Sequence, residues 1–263
     1  MMPVSKAGIN YQYTDSPAKP TVILSHPLGM NLHAWSYLVP ELTSNFSVLR
    51  YDLPGHGMSA PYDESLETLP AEKLADDLLS LCAELNITQF HFVGTSIGGM
   101  LGQQLLVDHN ERLLSATLTN TGMVIGSKAA WLDRQSQVLE HGLQEMAGDL
   151  VQRWFSKTSV TSYPNLLSQW QSFLADTDDR SYGLLCAWLG EQDMTNKLTA
   201  VSTPVMLIAG QDDIATPTSS LVQLAGKLNT SVVELKSIGH VPSVEASREF
   251  SDLVKSFLCE IKS

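Results

Sequence analysis

Cysteine is scarce in this chain. Only Cys82, Cys186 and Cys259 occur among 263 residues, an odd number, and no C-x-x-C pair is present. A disulfide framework and a zinc site are therefore excluded. A chain of this length buries roughly three quarters of the surface that its unfolded form exposes, so its core is large enough to be stable without disulfide or metal cross-links.

Positive charge is also in short supply. Lys and Arg together number 16 against 28 Asp and Glu, which gives a formal net charge of −12. A surface of this sign repels nucleic acid and anionic lipid. We therefore expect no nucleic acid and no membrane among the partners of this protein.

Long hydrophobic runs are missing. The first twenty residues contain no apolar segment of the kind found in secretion signals. No later stretch approaches the ~20 apolar residues that a membrane-spanning helix needs. The sequence therefore predicts a cytoplasmic protein.

Short apolar runs, in contrast, recur along the chain. Six runs rich in β-branched and apolar residues predict strands that are buried on both faces. They span residues 21–26, 46–52, 90–96, 115–121, 204–213 and 231–240. Helical periodicity lies between them, most clearly in the stripe formed by Leu74, Leu78, Leu81 and Leu85. This alternation predicts an α/β fold with a mostly parallel sheet flanked by helices.

Both ends of the chain carry further patterns. Residues 8–15 alternate enough to predict an antiparallel edge hairpin. A stripe of Phe250, Val254, Phe257 and Ile261 predicts a C-terminal helix.

The alternation breaks in residues 122–198, hereafter called the insertion. Helical periodicity continues there without a convincing strand, and the segment holds four of the five tryptophans. Such apolar surface suits a helical cap that docks over the carboxyl edge of a parallel sheet and lines a cavity. A few ordinary packing helices are the alternative. We predict a core of residues 1–121 and 199–263 and a helical cap of residues 122–198.

A G-x-S-x-G motif occupies residues 94–98, directly after one predicted strand and before an apolar helical pattern. Its glycines allow a sharp turn that lifts Ser96 clear of the sheet edge. The same turn points the first N–H groups of a helix, beginning with that of Ile97, toward developing negative charge. We predict that Ser96 is a nucleophile and that Ile97 donates to an oxyanion.

A nucleophilic serine needs a base, and the base needs an acid to orient it. Asp212 and Asp213 end the run at 204–213, and adjacent residues at a strand end point to opposite sides, so both are candidates for the acid. His240 ends the following run and is the candidate base. The chain order Ser, Asp, His is that of α/β-hydrolases.

Together these residues resemble the α/β-hydrolase superfamily across nearly the whole chain. Within it, the sequence is similar to 3-oxoadipate enol-lactonases, which open a small unsaturated lactone. Matching stretches include HFVGTSIGGMLGQQL, AWLDRQSQVLEHG, QRWF and AGQDDIATP. The resemblance implies a catalytic triad of Ser96, Asp213 and His240, because the pattern G-x-x-D-x-x-x-P of such hydrolases puts the acid at Asp213.

The resemblance also implies a second oxyanion donor in the turn after the first core strand. That donor is the backbone N–H of Leu28. Pro27 stands where the family usually has glycine, but the donor is the next residue, so the replacement is compatible with function. We expect His26 to brace this turn rather than to react, and we expect the glycine-rich loop at 52–59 to give structural support under the site.

Substrate contacts are implied for the insertion. Trp131 and Trp154 fall where the family has tryptophans, and Arg134 is the candidate to meet a substrate carboxylate, with Arg153 as the alternative. The chain departs from the family at 190–191, where Gly-Glu stands in place of the Arg-Asp that members often carry.

The function implied is that of a serine hydrolase that opens a small lactone, 3-oxoadipate enol-lactone above all, without metal or organic cofactor. Alternatives in the same superfamily are a carboxylesterase, a C–C bond hydrolase and a perhydrolase. A non-catalytic receptor on a hydrolase fold is the alternative from another class, and turnover of an activated ester separates it from an enzyme. The expected partner is a small lactone or ester, and the expected state is a monomer or a homodimer.

Overall fold

A seven-stranded sheet forms the centre of the molecule, whose computed structural model describes residues 3–261. The strand order is β1-β3-β2-β4-β5-β6-β7, and β2 to β7 are parallel. The strands span Tyr11–Thr14 (β1), Thr21–Ser25 (β2), Ser47–Tyr51 (β3), Phe90–Thr95 (β4), Leu113–Thr119 (β5), Val205–Gly210 (β6) and Val232–Leu235 (β7). Each predicted run overlaps one of the six parallel strands, so the predicted α/β fold with a mostly parallel sheet is confirmed.

The N-terminal strand β1 is an antiparallel edge strand, as predicted, but it is not half of a hairpin with its neighbour in sequence. It pairs with β3, with Tyr11 opposite Tyr51 and Thr14 opposite Val48. A single antiparallel bridge between Val4 and Asn10 precedes it. Strand β2 is buried at every residue and must lie inside the sheet between β3 and β4, which leaves the half-buried β1 at the edge.

Helices cover the sheet and fill the insertion. They span Leu38–Leu42 (α1), Lys73–Glu84 (α2), Ile97–Asp108 (α3), Lys128–His141 (α4), Leu143–Val151 (α5), Lys157–Ser162 (α6), Leu166–Ala175 (α7), Asp179–Glu191 (α8), Thr218–Leu228 (α9), Pro242–Glu245 (α10) and Ser247–Glu260 (α11). Short 3₁₀ helices occupy Leu32–Trp35 and Asn110–Arg112. None of the helices within residues 3–261 is long and apolar enough to cross a membrane.

The predicted apolar stripes lie on the inner faces of α2 and α11. In α2, Leu74, Leu78 and Leu81 are buried, while Leu85 follows the helix end and is half-buried. In α11, Phe250 and Val254 are buried, Phe257 is half-buried and Ile261 lies past the last helical residue. The buried Leu258, four residues after Val254, completes the inner face instead of its neighbour Phe257.

The insertion contains α4 to α8 and, over its described length, no strand. Helix α4 packs against α8, and α5 packs against α7. Trp170 and Trp188 are buried, and the indole N–H of Trp188 donates to the carbonyls of Pro70 and Ala71, outside the insertion, whereas Trp131 and Trp154 remain half-buried. Two of the four tryptophans are therefore buried, and two are left with accessible surface.

Candidate active site

Ser96 occupies a strained turn between β4 and α3, with φ 60° and ψ −115°. The turn is held by hydrogen bonds from Ser96 N to the carbonyl of Thr119, at 3.0 Å, and from Thr121 Oγ1 to the carbonyl of Ser96, also at 3.0 Å. A non-glycine residue at positive φ is uncommon and persists only where the surrounding structure imposes it.

The two motif glycines permit this turn by allowing close backbone approach. A β-carbon on Gly94 would lie 2.3 Å from the carbonyl oxygen of Gly98, and one on Gly98 would lie 2.3 Å from that of Ser25. Any side chain at either position would therefore push the turn away from β2 and α3. The close contact between Gly98 and Ser25 also brings the turn after β2 against the Ser96 turn.

The two predicted oxyanion donors flank Ser96. Ile97 is the first residue of α3, so its N–H belongs to the unsatisfied first turn of that helix. Leu28 lines the same cavity as Ser96, and within residues 3–261 its N–H has no hydrogen-bond partner. Both groups are thus positioned beside the serine, one following it in the chain and the other across the cavity.

Two buried histidines brace the turn that carries Leu28. His26 donates from Nδ1 to the carbonyl of Pro27, at 2.7 Å, and its Nε2 accepts from the N–H of Leu53, at 2.9 Å. Nε2 of His56 accepts from the N–H of Gly29, at 3.0 Å. Burial lowers the pKa of His26 to about 4 and that of His56 to about 3, so both rings are neutral at pH 7. His26 therefore braces the turn as predicted, and Leu53 and His56 connect the loop at 52–59 to it.

Asp213 and His240 are hydrogen-bonded. Nδ1 of His240 lies 2.8 Å from Oδ2 of Asp213, and both residues are buried. The neighbouring Asp212 is exposed and its backbone N–H bonds to the carbonyl of Ile238. Of the two candidate acids, the structure brings Asp213 to the histidine.

Further donors saturate the Asp213 carboxylate. Oδ2 accepts from Thr216 Oγ1, at 2.6 Å, and from Asn120 Nδ2, at 2.8 Å, while Oδ1 accepts from the N–H of Ala215, at 2.8 Å. Burial by itself would raise the pKa of this carboxyl. The imidazole of His240 and the hydrogen bonds from His240, Thr216 and Asn120 outweigh burial and hold the pKa below its usual range.

Sequence reasoning missed Asn120 and Thr216. A signal was present for Thr216, because Asp-x-x-Thr after a strand is a common turn in which the side chains bond locally. Asn120 gave no comparable signal, although it directly follows β5 and thus reaches the same edge of the sheet as Asp213. Its side chain bonds to partners 93 and 119 residues away, Asp213 and the carbonyl of Gly239.

A cavity of about 180 Å³ lies above Ser96 and His240. Every residue predicted to contact substrate, Trp131, Arg134 and Trp154, lines it, and so does the alternative Arg153. The remaining lining residues are Leu28, Ile125, Gly126, Ala130, Leu150, Tyr182, Ala215 and Thr216. The insertion thus supplies much of the wall, and the turns at the carboxyl ends of the strands supply the floor.

Positive charge is concentrated in this cavity. Arg134 and Arg153 both line it, and no Asp or Glu of the described chain does. Tyr182 lines the same cavity, where burial raises the pKa of its hydroxyl and the nearby charge of Arg134 lowers it. At the departure from the family pattern, Glu191 pairs with Lys128 on the surface, with 2.6 Å between Oε1 and Nζ.

Comparison with known proteins identifies the family. A family model for the alpha/beta hydrolase fold matches residues 20–247. The chain belongs to the α/β-hydrolase family. It is 30% identical over 255 residues to 3-oxoadipate enol-lactonase 2 of Acinetobacter baylyi, covering 95% of this chain and 93% of the relative. It is 29% identical to the pimeloyl-[acyl-carrier protein] methyl ester esterase of Aeromonas hydrophila, covering 91% and 95%.

Solved structures of this family superpose closely on the chain. The enol-lactonase from Burkholderia xenovorans LB400 gives a TM-score of 0.89 at 28% identity, with 96% of each chain covered. A hydrolase from Pseudomonas aeruginosa PA01 gives 0.90 at 28% identity, with 98% of this chain and 97% of that chain covered.

Proposed function

We propose that the protein is a serine hydrolase that opens a small lactone, with Ser96 as nucleophile, His240 as base and Asp213 as the acid that orients it. One observation carries the proposal: Ser96, on its strained turn, faces the same cavity as a histidine whose other ring nitrogen bonds to a buried carboxylate. That is the division of roles in a nucleophile, base and acid triad.

The first half of the reaction forms an acyl-enzyme. Ser96 Oγ attacks the lactone carbonyl and passes its proton to Nε2 of His240, while Asp213 stabilises the resulting imidazolium. The N–H groups of Ile97 and Leu28 hold the negative oxygen of the tetrahedral intermediate. When the carbonyl reforms, the ring C–O bond breaks and His240 returns the proton to the departing enol oxygen.

The second half releases the product. His240 takes a proton from water, and the hydroxide formed attacks the acyl carbon held by Ser96 Oγ. Collapse returns the proton to Ser96 and frees a carboxylic acid. An enol is a better leaving group than a simple alkoxide, and its tautomerisation to a ketone draws the reaction forward.

We further propose 3-oxoadipate enol-lactone as the substrate. Adipate derivatives carry two carboxylates and lactone closure consumes one, so this substrate keeps a single negative charge. Arg134 and Arg153 provide matching positive charge in a cavity that no acidic residue of positions 3–261 lines, and Trp131 and Trp154 provide an apolar wall. The similarity to 3-oxoadipate enol-lactonase 2 of Acinetobacter baylyi supports this substrate, and the similarity to the enol-lactonase from Burkholderia xenovorans supports lactone opening.

The test compares matched substrates. We expect efficient opening of 3-oxoadipate enol-lactone, and about 10- to 100-fold lower catalytic efficiency on a ring-matched enol-lactone with methyl in place of the carboxylate arm, as loss of a charged hydrogen bond predicts. Arg134→Gln should remove this preference, whereas Arg248→Gln, on the exposed side of α11, should retain it.

Each other outcome of the comparison points to a named alternative. Equal efficiency on the two lactones would refute carboxylate recognition. Higher efficiency on simple esters would identify a carboxylesterase, and the relative from Aeromonas hydrophila is itself a methyl ester esterase. Preferred cleavage of a C–C bond or formation of a peracid would identify the other two hydrolases, and no turnover of any activated ester would identify a receptor.

A further inference from the structure

Glu245 is a buried carboxylate that binds three backbone N–H groups. It is the last residue of the short helix α10, and only 5% of its surface is exposed. Oε2 accepts from the N–H of Gly239, at 3.0 Å, and Oε1 from the N–H of Val241, at 3.1 Å. Oε2 also accepts from the N–H of Ser156, at 2.8 Å. The carboxylate therefore joins the two neighbours of His240 to a residue of the insertion.

The same two segments also touch directly. The N–H of His240 donates to the carbonyl of Trp154, at 2.8 Å. A β-carbon on Gly239 would lie 2.7 Å from the nitrogen of Ser156 and 2.9 Å from the carbonyl oxygen of Trp154, so glycine is required at 239 for this backbone approach. Residues 154–156 and 239–241 thus form one packed unit.

A carboxylate is the group that this unit requires. Within the described chain, none of the ion pairs includes Glu245, so the three N–H groups themselves stabilise its buried charge. An amide side chain has a single acceptor oxygen, and its NH₂ group would face a backbone donor. Glutamine at this position would leave at least one buried N–H unsatisfied.

We infer that Glu245 is a positioning residue that holds the base and one wall of the substrate cavity in a fixed relation. The inference rests on the proposed roles of His240 as base and Trp154 as cavity wall. Glu245 touches neither substrate nor reacting atoms. It acts by tying the backbone on both sides of His240 to the backbone two residues after Trp154.

The first experiment measures reaction of Ser96 with a small phosphonate, together with kcat and KM for the best substrate. Glu245→Gln should slow phosphonate labelling about 10- to 100-fold, as displacement of a catalytic group does, and should lower kcat as well as raise KM. The control is Glu249→Gln, which replaces an exposed acidic residue on α11 four positions away. It should leave phosphonate labelling, kcat and KM unchanged. A lowered melting temperature with unchanged labelling, kcat and KM would show a merely structural role and overturn the inference.

The second experiment measures coupling between Glu245 and Trp154. In the otherwise unchanged protein, Trp154→Ala should lower catalytic efficiency about 10- to 200-fold. In the Glu245→Gln background the same replacement should cost less than about 3-fold, because the wall has already lost its fixed position. Equal penalties in the two backgrounds would show that the residues act independently and would overturn the inference.

A third measurement needs no variant and remains available if Glu245→Gln does not fold. Amide hydrogen exchange of the native protein should give Ser156, Gly239 and Val241 protection factors within about threefold of one another, since one carboxylate holds all three. Much faster exchange at Ser156 would show that the insertion moves independently of the His240 loop. Exchange does not depend on turnover, so an incorrect assignment of the reaction and an incorrect role for Glu245 give different results.

Discussion

Asn120 and Asp213 are joined by a hydrogen bond of 2.8 Å from the side-chain amide Nδ2 to the carboxylate oxygen Oδ2. The same oxygen accepts from His240, and Nδ2 of Asn120 also donates to the carbonyl of Gly239. One amide therefore connects the proposed acid with the residue that precedes the proposed base.

Replacement of Asn120 by glycine should weaken catalysis. Asn120 has φ 45°, which glycine accepts without strain, so the main loss is that of two buried hydrogen bonds. We expect kcat on an activated ester to fall about 10-fold or more, the effect of one charge-assisted bond. The matched control is Asn229→Gly at the exposed end of α9, where φ is 53°. Equal kcat in both variants would contradict this prediction.

Ser96→Ala should abolish turnover and leave the fold intact, because one hydroxyl contributes little to a core of this size. An active-serine phosphonate should label the parent protein at Ser96 only. Ser237→Ala provides a control, since Ser237 is exposed and has nearly the same φ, 59°. Residual hydrolysis in Ser96→Ala, or labelling at another serine, would refute the assignment of Ser96 as nucleophile.

Asp213→Asn should damage catalysis far more than Asp212→Asn. Only a carboxylate that faces His240 holds its tautomer and stabilises the imidazolium, and loss of that role in serine triads costs on the order of 10⁴ in rate. Asp212 is exposed, so its replacement should change kcat by less than about twofold. The measurement is kcat for each variant on one activated ester, and the reverse order would exchange the two assignments.

Trp154→Ala should act on recognition more than on the triad. We expect catalytic efficiency toward the lactone to fall about 10- to 200-fold, as loss of one apolar wall predicts, while phosphonate labelling of Ser96 falls much less. Tyr163→Ala, an exposed aromatic residue of the insertion outside the cavity, is the control. A joint drop in turnover and labelling with a lowered melting temperature would mean that Trp154 only packs the insertion.

Stability should fall in mild acid. Burial lowers the pKa of His26 and His91 to about 4 and that of His56 to about 3, against 6.5 when exposed. The unfolded chain therefore binds more protons than the folded one, and stability that is complete above pH 6.5 is lost as pH falls toward 4. We expect the free energy of unfolding to fall by about 1 to 2 kcal/mol per histidine between pH 7 and pH 5.

Urea denaturation at the two pH values measures this loss. His91→Gln should reduce the difference in unfolding free energy between pH 7 and pH 5, because one buried titrating group is removed. His141→Gln, at an exposed position, should leave it unchanged. A difference unaffected by His91→Gln would rule out that residue as a source of the acid sensitivity.

Much of the fold was predictable because central parallel strands are buried on both faces and read as continuous apolar runs. The partner of β1 was not predictable from the sequence. Strand β1 pairs with β3 because one edge of β3 remains free once β2 lies between β3 and β4. In α11, the periodic stripe selected Phe257 over Leu258, a difference of one position that the tilt of the helix on its neighbours decides.

The residues of the candidate site likewise fall into two groups, those that the sequence predicted and those that it did not. Ser96 lies in a local motif, and Asp213 and His240 follow strand ends in a recognisable order. Asn120 and Glu245 act through hydrogen bonds to backbone or side chains as much as 119 residues away in sequence. A polar residue after a strand or in a four-residue helix has many ordinary uses, so only the three-dimensional contacts distinguish these two.

The strained backbone of Ser96 has a consequence for how this protein can evolve. A serine at φ 60° and ψ −115° carries a conformational penalty of about 1 to 3 kcal/mol that glycine would largely relieve. Ser96→Gly is therefore expected to make the protein more resistant to unfolding while removing the proposed nucleophile. Selection for thermal stability alone would favour glycine at this position, so the proposed chemistry of Ser96 and the stability of its turn place opposite demands on the same residue.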